Sequence, residues 1–266
     1  MSRISTGTLS FKNDGTSQTH ELGVKRVLHR NEKGITRLHL GLLTKQNNNY
    51  LEDVKLATSS RRLTIMNVGV SQSYNIPQGF VYGGLTLGQG VTWLGAERNS
   101  DIASSPKAQF QRITADARMI KNFDLGGTSY NPLWETTIRA QWTPDLLYGS
   151  EHMSVGGPFS VRGFKELSPS GNVGVYAQNT MSIPVANRSL EPVIGMLRPY
   201  IGFDIGKIQQ QHDAGISGGS LSSVSLGLRN EMGPFDMDVT MSRPITVPVD
   251  HIAKSTEFYL TVSKSF

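Results

Sequence analysis

Apolar and polar residues alternate along most of this chain of 266 residues, and this period of two limits the fold more than any other feature. The alternation is clearest near the C-terminus, where one set of side chains is apolar and the interleaved set is polar: Phe258, Leu260 and Val262 against Tyr259, Thr261 and Ser263. Successive side chains of a β-strand point to opposite faces of the sheet. The sequence therefore predicts an all-β protein whose strands have one apolar face and one polar face.

The alternation recurs often enough to predict about twelve strands. Composition does not shift sharply anywhere within residues 1–266, so we expect one domain without a linker. The predicted strands lie near 3–12, 19–29, 34–46, 58–74, 78–90, 108–122, 130–143, 171–184, 196–207, 220–231, 235–246 and 255–266.

Alternation suits a soluble β-sandwich and a transmembrane antiparallel β-barrel equally well. In a sandwich the apolar faces pack together, whereas in a barrel the apolar face meets lipid and the polar face lines the lumen. Trp134 and Trp142 favour the barrel, because they share a face and lie about 26 Å apart along an extended strand. After the tilt of a barrel strand, this spacing approaches the ~25 Å apolar band between the aromatic girdles of a membrane barrel.

The lengths of the connections also favour a barrel in the outer membrane. Long connections near 91–107, 144–170 and 207–219 interleave with short ones near 31–34 and 231–234, as outer-membrane barrels require. No stretch approaches ~18 consecutive apolar residues, so no transmembrane helix is expected.

The last predicted strand ends on an aromatic residue. A terminal phenylalanine after an alternating strand is the signal that the outer-membrane barrel assembly machinery recognises in many barrels. We therefore expect Phe258, Leu260 and Phe266 to form an assembly signal. The same features predict two partners, the assembly machinery and outer-membrane lipid.

Composition argues against several other functions. The chain has no cysteine, which excludes thiol catalysis and thiolate metal sites, and its net charge of +5 is spread without the clustered patch of a nucleic-acid binder. The histidines are scattered, and only His152, between Asp145 and Ser154, is suggestive of catalysis. No nucleophile elbow or metal-ligand spacing accompanies it, so we expect no enzyme activity, cofactor or metal. The N-terminus lacks the pattern of a signal peptide, which for an exported barrel predicts a fragment.

The sequence resembles the two-partner secretion transporters, or haemolysin activators, of the BamA-like barrel superfamily. The resemblance begins with the run from Ser150 to Phe164, which ends in Val161-Arg162-Gly163-Phe164 and looks like the signature loop of that family. It extends over about residues 20–266, through further landmarks in the order of the family: Glu21–Arg30, Asn49–Asp53, Ser60–Leu63, Trp93–Ala96 and Leu147–Ser150.

This resemblance implies a pore that secretes a partner exoprotein, threaded unfolded to the cell surface without nucleotide hydrolysis. Family members have a sixteen-stranded barrel that follows two POTRA domains and a plug helix. About twelve strands are predicted here, so residues 1–266 are expected to be the C-terminal part of the barrel, without the POTRA domains and the plug helix.

The resemblance also implies roles for particular residues. The signature loop of the family folds into the lumen, where its arginine pairs with an acidic residue on the wall, and the matching residues are Arg162 and Asp204 of Gly202-Phe203-Asp204. Alternation independently places Asp204 on the lumen face. Gly163 is expected to allow a tight turn, and Phe164 to pack against the inner wall.

Other interpretations remain open. Arg162 and Gly163 also suit a solvated turn, and Asp204 also suits a carboxylate that only hydrates the lumen. The residues at 178 and 180 are Gln and Thr, where Arg and Glu are commoner in the family, so charged contacts are less expected on that strand. The alternative functions are a twelve-stranded autotransporter translocator and a passive, porin-like barrel. Residues 1–19 have no helical period, which disfavours the autotransporter, because that class threads a helix through its pore.

Overall fold

The computed structural model describes residues 2–6, 9–56, 60–102, 104–124, 126, 131–185, 195–211, 215–232, 235–248 and 254–264, and the side chains of these from residue 14 onward except 231 and 232. Its strands are β1 Ser2–Thr6, β2 Leu9–Arg30, β3 Gly34–Leu51, β4 Val54–Lys55, β5 Arg61–Ile76, β6 Gly79–Val91, β7 Gln111–Asn122, β8 Leu133–Trp142, β9 Met153–Ser154, β10 Ser170–Gly171, β11 Gly174–Ser182, β12 Met196–Ile208, β13 Gly219–Met232, β14 Phe235–Thr246 and β15 Glu257–Lys264. No helix in these ranges is both long and apolar enough to cross a membrane.

One large antiparallel sheet contains all but two of these strands. Twelve of them pair in the order β1-β2-β3-β5-β6-β7-β8-β11-β12-β13-β14-β15, β4 pairs with β3, and β9 and β10 form a separate small hairpin. Every long strand thus pairs with its neighbours in sequence. The predicted all-β fold with about twelve strands is confirmed.

The structure differs from the predicted boundaries near the N-terminus, where β2 begins at Leu9 and not near residue 19. The first half of β2 pairs with a polar part of β3, and Ser17 donates a hydrogen bond of 2.7 Å to Asn47 across this pair. Backbone pairing and such polar contacts hold this half of the strand, whose described side chains are polar on both faces. Alternation of hydrophobicity therefore gave no signal there.

The two faces of the sheet have opposite chemistry. On β12, Ile201, Phe203 and Ile205 point outward and are 58 %, 49 % and 46 % exposed, whereas Asp204 between them is fully buried. Trp134 is also on the outward face, as the alternation predicts. An outer surface this rich in exposed apolar side chains suits lipid, since a water-soluble protein rarely exposes such an area.

The sheet curls strongly around its polar face. Arg229 of β13 forms an ion pair with Glu135 of β8, although β11 and β12 lie between these strands. Three inter-strand spacings of about 4.8 Å separate β8 from β13 along the sheet. Side chains bridge that interval only across the inside of a curve, so the polar face is concave.

The longest connections lie at one end of the strands, the end from which β8 leads into β11. They include residues 92–110 and 143–173. At the opposite end β2 and β3 are joined by residues 31–33, where the side chain of Asn31 accepts hydrogen bonds from two backbone N–H groups. The predicted signature loop belongs to the connection 143–173, and five main-sheet strands follow it.

The main apolar core is inside the curved sheet. Its seven buried residues come from the connection after β8 and from the inner wall near the ends of β12 and β13: Met153, Val155, Val161, Phe164, Ile208, Ile216 and Leu221. A loop therefore fills part of the concave side, and the outward face takes no part in this core.

The facing of β8 leads to a prediction about membrane stability. Ile138 is 40 % exposed on the outward face, midway between Trp134 and Trp142. Replacing it with arginine in the full-length protein is expected to lower the free energy of unfolding in lipid bilayers by ~2–4 kcal/mol, because a charge then lies near the middle of the apolar layer. Thr137→Arg, on the concave face, is the matched control and is expected to be mild. Equal losses at the two positions would contradict the assignment of faces.

Candidate functional site

The connection between β8 and β11 turns back into the concave side of the sheet, and its central part is buried. A compact turn forms where Ser160 accepts a hydrogen bond from the backbone N–H of Gly156 and donates one to the carbonyl oxygen of the same residue. Gly156 has a φ of +136°, a conformation that favours glycine. This turn presents the next residues, 161–164, to the inner wall, and all four are buried.

Arg162 and Asp204 make a two-pronged ion pair at the centre of this buried region. The Nε and Nη2 atoms of Arg162 each donate to a different carboxylate oxygen of Asp204 at 2.7 Å, and the backbone N–H of Arg162 donates to Oδ2 at 3.0 Å. The side chains of the two residues are 6 % and 0 % exposed. The planar fork of a guanidinium matches a carboxylate in this way, and charge-assisted bonds are the strongest of their kind.

The neighbouring strand β11 completes the binding of this pair. The backbone N–H of Asn179 donates to Oδ1 of Asp204 at 3.2 Å, and its carbonyl oxygen accepts from Nη2 of Arg162 at 2.9 Å. The side-chain amide of Asn179 donates to the carbonyl oxygen of Phe203 on β12. The ion pair is therefore bonded to the main chain of β11, and the side chain of Asn179 ties β11 to β12 beside it. We call Arg162, Asp204 and Asn179 the tip latch.

Two glycines make room for the tip latch. A Cβ atom on Gly202 would overlap the guanidinium of Arg162, so any other residue at this position would displace that group. Gly163 has a φ of +87°, in the region that other residues rarely adopt, and its N–H donates to the Tyr259 hydroxyl on β15 at 3.0 Å. The loop thus contacts the wall at β12 and at β15.

The charge state of the tip latch follows from its contacts. Burial lowers the pKa of the Arg162 guanidinium, but the hydrogen bonds and the Coulombic attraction of Asp204 outweigh it and raise the pKa above its ordinary value. The guanidinium is therefore charged at every physiological pH.

A second polar network lies next to the tip latch. The guanidinium carbon of Arg162 lies 5.8 Å from the centre of the Tyr200 ring, and that of Arg229 lies 5.0 Å from the same centre. Arg229 in turn donates to Asp238 at 3.0 Å and pairs with Glu135. The inner wall near the loop therefore carries alternating charges that neutralise each other.

The structure places the other predicted site residues as follows. Val161 and Phe164 are buried in the inner apolar core, and Phe203 points outward, so that only its backbone joins the site. Phe258 and Leu260 are exposed on the outward face of β15. Phe266 lies outside the described residues, and the assembly signal stays a prediction.

On β11, at two positions where the family more often has charged residues, this chain has uncharged side chains that lie against the loop or the latch. Gln178 donates a hydrogen bond to the carbonyl oxygen of Pro158 at 2.9 Å, and Thr180 is buried beside the latch. Sequence reasoning missed Asn179 and Tyr259 as site residues. Alternation placed Tyr259 on the inner face but gave no indication of its partner.

The suggestive histidine does not form a catalytic arrangement. The Nε2 atom of His152 lies 3.1 Å from the carbonyl oxygen of Leu147, to which it donates, and Asp145 binds Lys107 at 2.6 Å. Ser154 pairs with Ser170 in the small hairpin. Within the described ranges, no group of three or more His, Asp or Glu side chains is arranged to hold a metal ion.

A curved antiparallel sheet with an apolar outer face, a charged inner face and a loop latched to its inner wall defines a membrane β-barrel of the outer-membrane type. A sequence model described as "Haemolysin secretion/activation protein ShlB/FhaC/HecB" matches residues 1–230. The chain belongs to this family, and the family and fold place it in the outer membrane.

Curated and solved relatives agree with this assignment. The chain is 34 % identical over 239 residues to an outer membrane transporter CdiB of Escherichia coli, and these residues are 90 % of this chain and 39 % of the relative. It is 30 % identical to the hemolysin transporter protein ShlB of Serratia marcescens, over 85 % of this chain and 39 % of the relative. A solved structure of CdiB from Escherichia coli superposes with a TM-score of 0.87 at 32 % identity, covering 100 % of this chain and 48 % of that one. The chain thus spans less than half the length of these relatives.

The space at Gly202 predicts how the tip latch is weakened without removing a charge. Gly202→Ala in the full-length protein is expected to displace the guanidinium of Arg162. A destabilisation of the bound loop by ~1.4 kcal/mol would raise the rate of trypsin cleavage after Arg162 about tenfold. Mass spectrometry of the fragments separates this cleavage from that at the exposed Lys165. Gly83→Ala is the control, because a Cβ there meets nothing within 4 Å. Equal cleavage in the two variants would show that the latch does not depend on Gly202.

Proposed function

We propose that this chain forms part of an outer-membrane pore that secretes a partner exoprotein, and that the loop of residues 143–173 gates the pore. The chain contributes the C-terminal part of the barrel in this proposal. The observation that carries it is the tip latch, an ion pair buried between a loop and the inner wall of a barrel. The relatives are transporters by name, including hemolysin transporters, which supports secretion of a protein as the activity.

The tip latch suits a gate because both of its charged partners, Arg162 on the loop and Asp204 on the wall, are polar groups. A loop inside the curved sheet occupies the space through which an unfolded chain must pass. Removing only one member of a buried ion pair costs ~3–5 kcal/mol, since it leaves a buried charge without a partner. When the whole loop leaves the wall, water and a passing polypeptide supply new partners to Arg162 and to Asp204, so the movement costs less than the loss of one side chain.

The polar inner wall also suits an unfolded polypeptide as cargo. An unfolded chain presents backbone N–H and C=O groups that need hydrogen-bond partners. Side chains such as Arg139 and Thr137 face the concave side and offer such partners without a fixed geometry. In this proposal the chain slides along a hydrated wall, and no step requires a nucleotide or a cofactor.

Two further partners belong to the proposal. Lipid covers the outward face, where Ile138, Phe203 and Leu260 are exposed. The outer-membrane assembly machinery recognises the C-terminal strand, whose outward side chains include Phe258 and Leu260. A passive, porin-like barrel is the competing function, and the buried tip latch disfavours it, because a permanently open pore has no use for a loop tied across its interior.

The gate predicts a specific secretion defect. Arg162→Ala and Asp204→Ala in the full-length protein are each expected to reduce secretion of the partner exoprotein at least about tenfold, because each leaves one buried charge unpaired. Barrel insertion, measured as the heat-dependent shift in gel mobility, is expected to persist, since neither residue faces lipid. Arg98→Ala, an exposed arginine of the connection 92–110, is the control and is expected to leave secretion unchanged. Normal secretion by both latch variants would contradict the gating role.

A further inference from the structure

A second charged cluster holds the same loop at its beginning. Glu151 lies at the end of a short turn, Gly149–Glu151, and its side chain is completely buried. Lys45 of β3 donates to its Oε1 atom at 2.7 Å, and Arg112 of β7 donates to its Oε2 atom at 2.9 Å. Neither cation has any part in the tip latch.

The contacts of Glu151 lie on a different part of the wall from the tip latch. Lys45 and Arg112 belong to β3 and β7, whereas the tip latch binds β11 and β12. The backbone of Glu151 is also held, because Gln141 of β8 donates to its carbonyl oxygen at 3.1 Å. The loop is therefore tied to the curved sheet at two separate places.

A polar cavity between the loop and the wall adjoins the cluster of Glu151. Its volume is about 490 Å³, and the side chains around it include Arg112, Arg139, Gln141, Phe159, Ser160 and Tyr176. This space separates the following part of the loop from β7 and β8. At Glu151 itself the two ion pairs and the hydrogen bond from Gln141 join the loop to β3, β7 and β8, while Leu147 and Met153 on either side pack in apolar clusters.

We propose that Glu151 is a positioning residue that anchors the start of the signature loop to β3 and β7, independently of the tip latch. We call Glu151, Lys45 and Arg112 the root anchor. Release of the tip latch then frees residues 155–169, between the two strands of the small β9–β10 hairpin, while residues 151–154 stay on the wall. The root anchor thereby limits how far the loop swings and keeps it ready to return.

The charges of the root anchor explain its strength. Two cations face one carboxylate, and the side chains of Lys45 and Arg112 are only 25 % and 16 % exposed. Loss of the Glu151 charge would leave two partly buried cations close together without a counter-charge. Each charge-assisted bond to such a group shifts a local equilibrium about tenfold or more.

Single cysteines can report the two parts of the loop separately, because this chain has no cysteine of its own. Met153→Cys reports the root, because Met153 lies two residues after Glu151 and is only 7 % exposed. Val161→Cys reports the tip, because Val161 is fully buried, with 0 % exposure. The reporters are placed in the full-length protein, freed of any other cysteine, and labelled in intact outer membranes with a bulky maleimide. This readout follows the loop without any secreted partner, so its outcome does not depend on the proposed secretion.

Glu151→Gln is expected to raise the labelling rate of the Met153→Cys reporter about tenfold or more. Arg162→Ala is expected to raise the rate of the Val161→Cys reporter while leaving that of Met153→Cys within about twofold of the wild type. Glu166→Gln, an exposed carboxylate of the same loop, is the control and should change neither rate. Equal exposure of both reporters by Arg162→Ala would overturn the proposal, as would an unchanged rate at Met153→Cys in Glu151→Gln.

Arg112→Gln gives a second, milder test, because Lys45 still neutralises Glu151. It is expected to raise labelling of Met153→Cys less than Glu151→Gln does, and the double variant is expected to be no faster than Glu151→Gln alone. Fully multiplicative effects would mean that the two residues act separately, which contradicts a shared anchor. If Glu151→Gln fails to assemble in the membrane, Arg112→Gln tests the root anchor alone. An unchanged labelling rate of Met153→Cys in Arg112→Gln would then overturn the proposal.

Discussion

The apolar outer face of the sheet, which suits a membrane, is the constraint on which the rest of the structure depends. Hydrocarbon offers no hydrogen-bond partners, so the backbone must pair along closed ladders and charged side chains must turn to the concave face. On β12 this rule separates Phe203, which is exposed outside, from Asp204, which is buried inside. The charges of the chain are thereby concentrated around a small interior, where they have to neutralise each other.

That concentration explains why single carboxylates join strands that are far apart in the sheet. Glu135 of β8 forms ion pairs with Arg118 of β7 and Arg229 of β13. Glu151 forms ion pairs with Lys45 of β3 and Arg112 of β7. A buried ion pair adds little net stability compared with apolar packing, but it fixes one geometry, because any other leaves a charge unpaired. The inner charges therefore determine where the loop lies more than how stable the barrel is.

The sequence predicted the strand faces well and the loop contacts only in part. Alternation assigned Asp204 and Ile138 to opposite faces, because a period of two maps directly onto a sheet. The pairing of Arg162 was expected only through resemblance to a family, and Glu151 was not found at all, because a loop has no period and the partners of Glu151 are 106 and 39 positions away. The early start of β2 was missed for a related reason, since polar strands outside an apolar layer show no alternation.

The use of ion pairs to hold the loop has a physical consequence for opening. An apolar latch exposes hydrophobic surface when it opens, and it pays that cost whatever enters the lumen. An ionic latch exposes charges, and the cost falls as soon as water or a polar chain reaches them. The net charges of the two attachments also differ: Arg162 and Asp204 neutralise each other, while Lys45 and Arg112 outnumber Glu151 by one. Opening of the tip therefore leaves one negative charge, that of Asp204, on the wall, whereas the wall at the root carries two cations that favour the return of the Glu151 carboxylate.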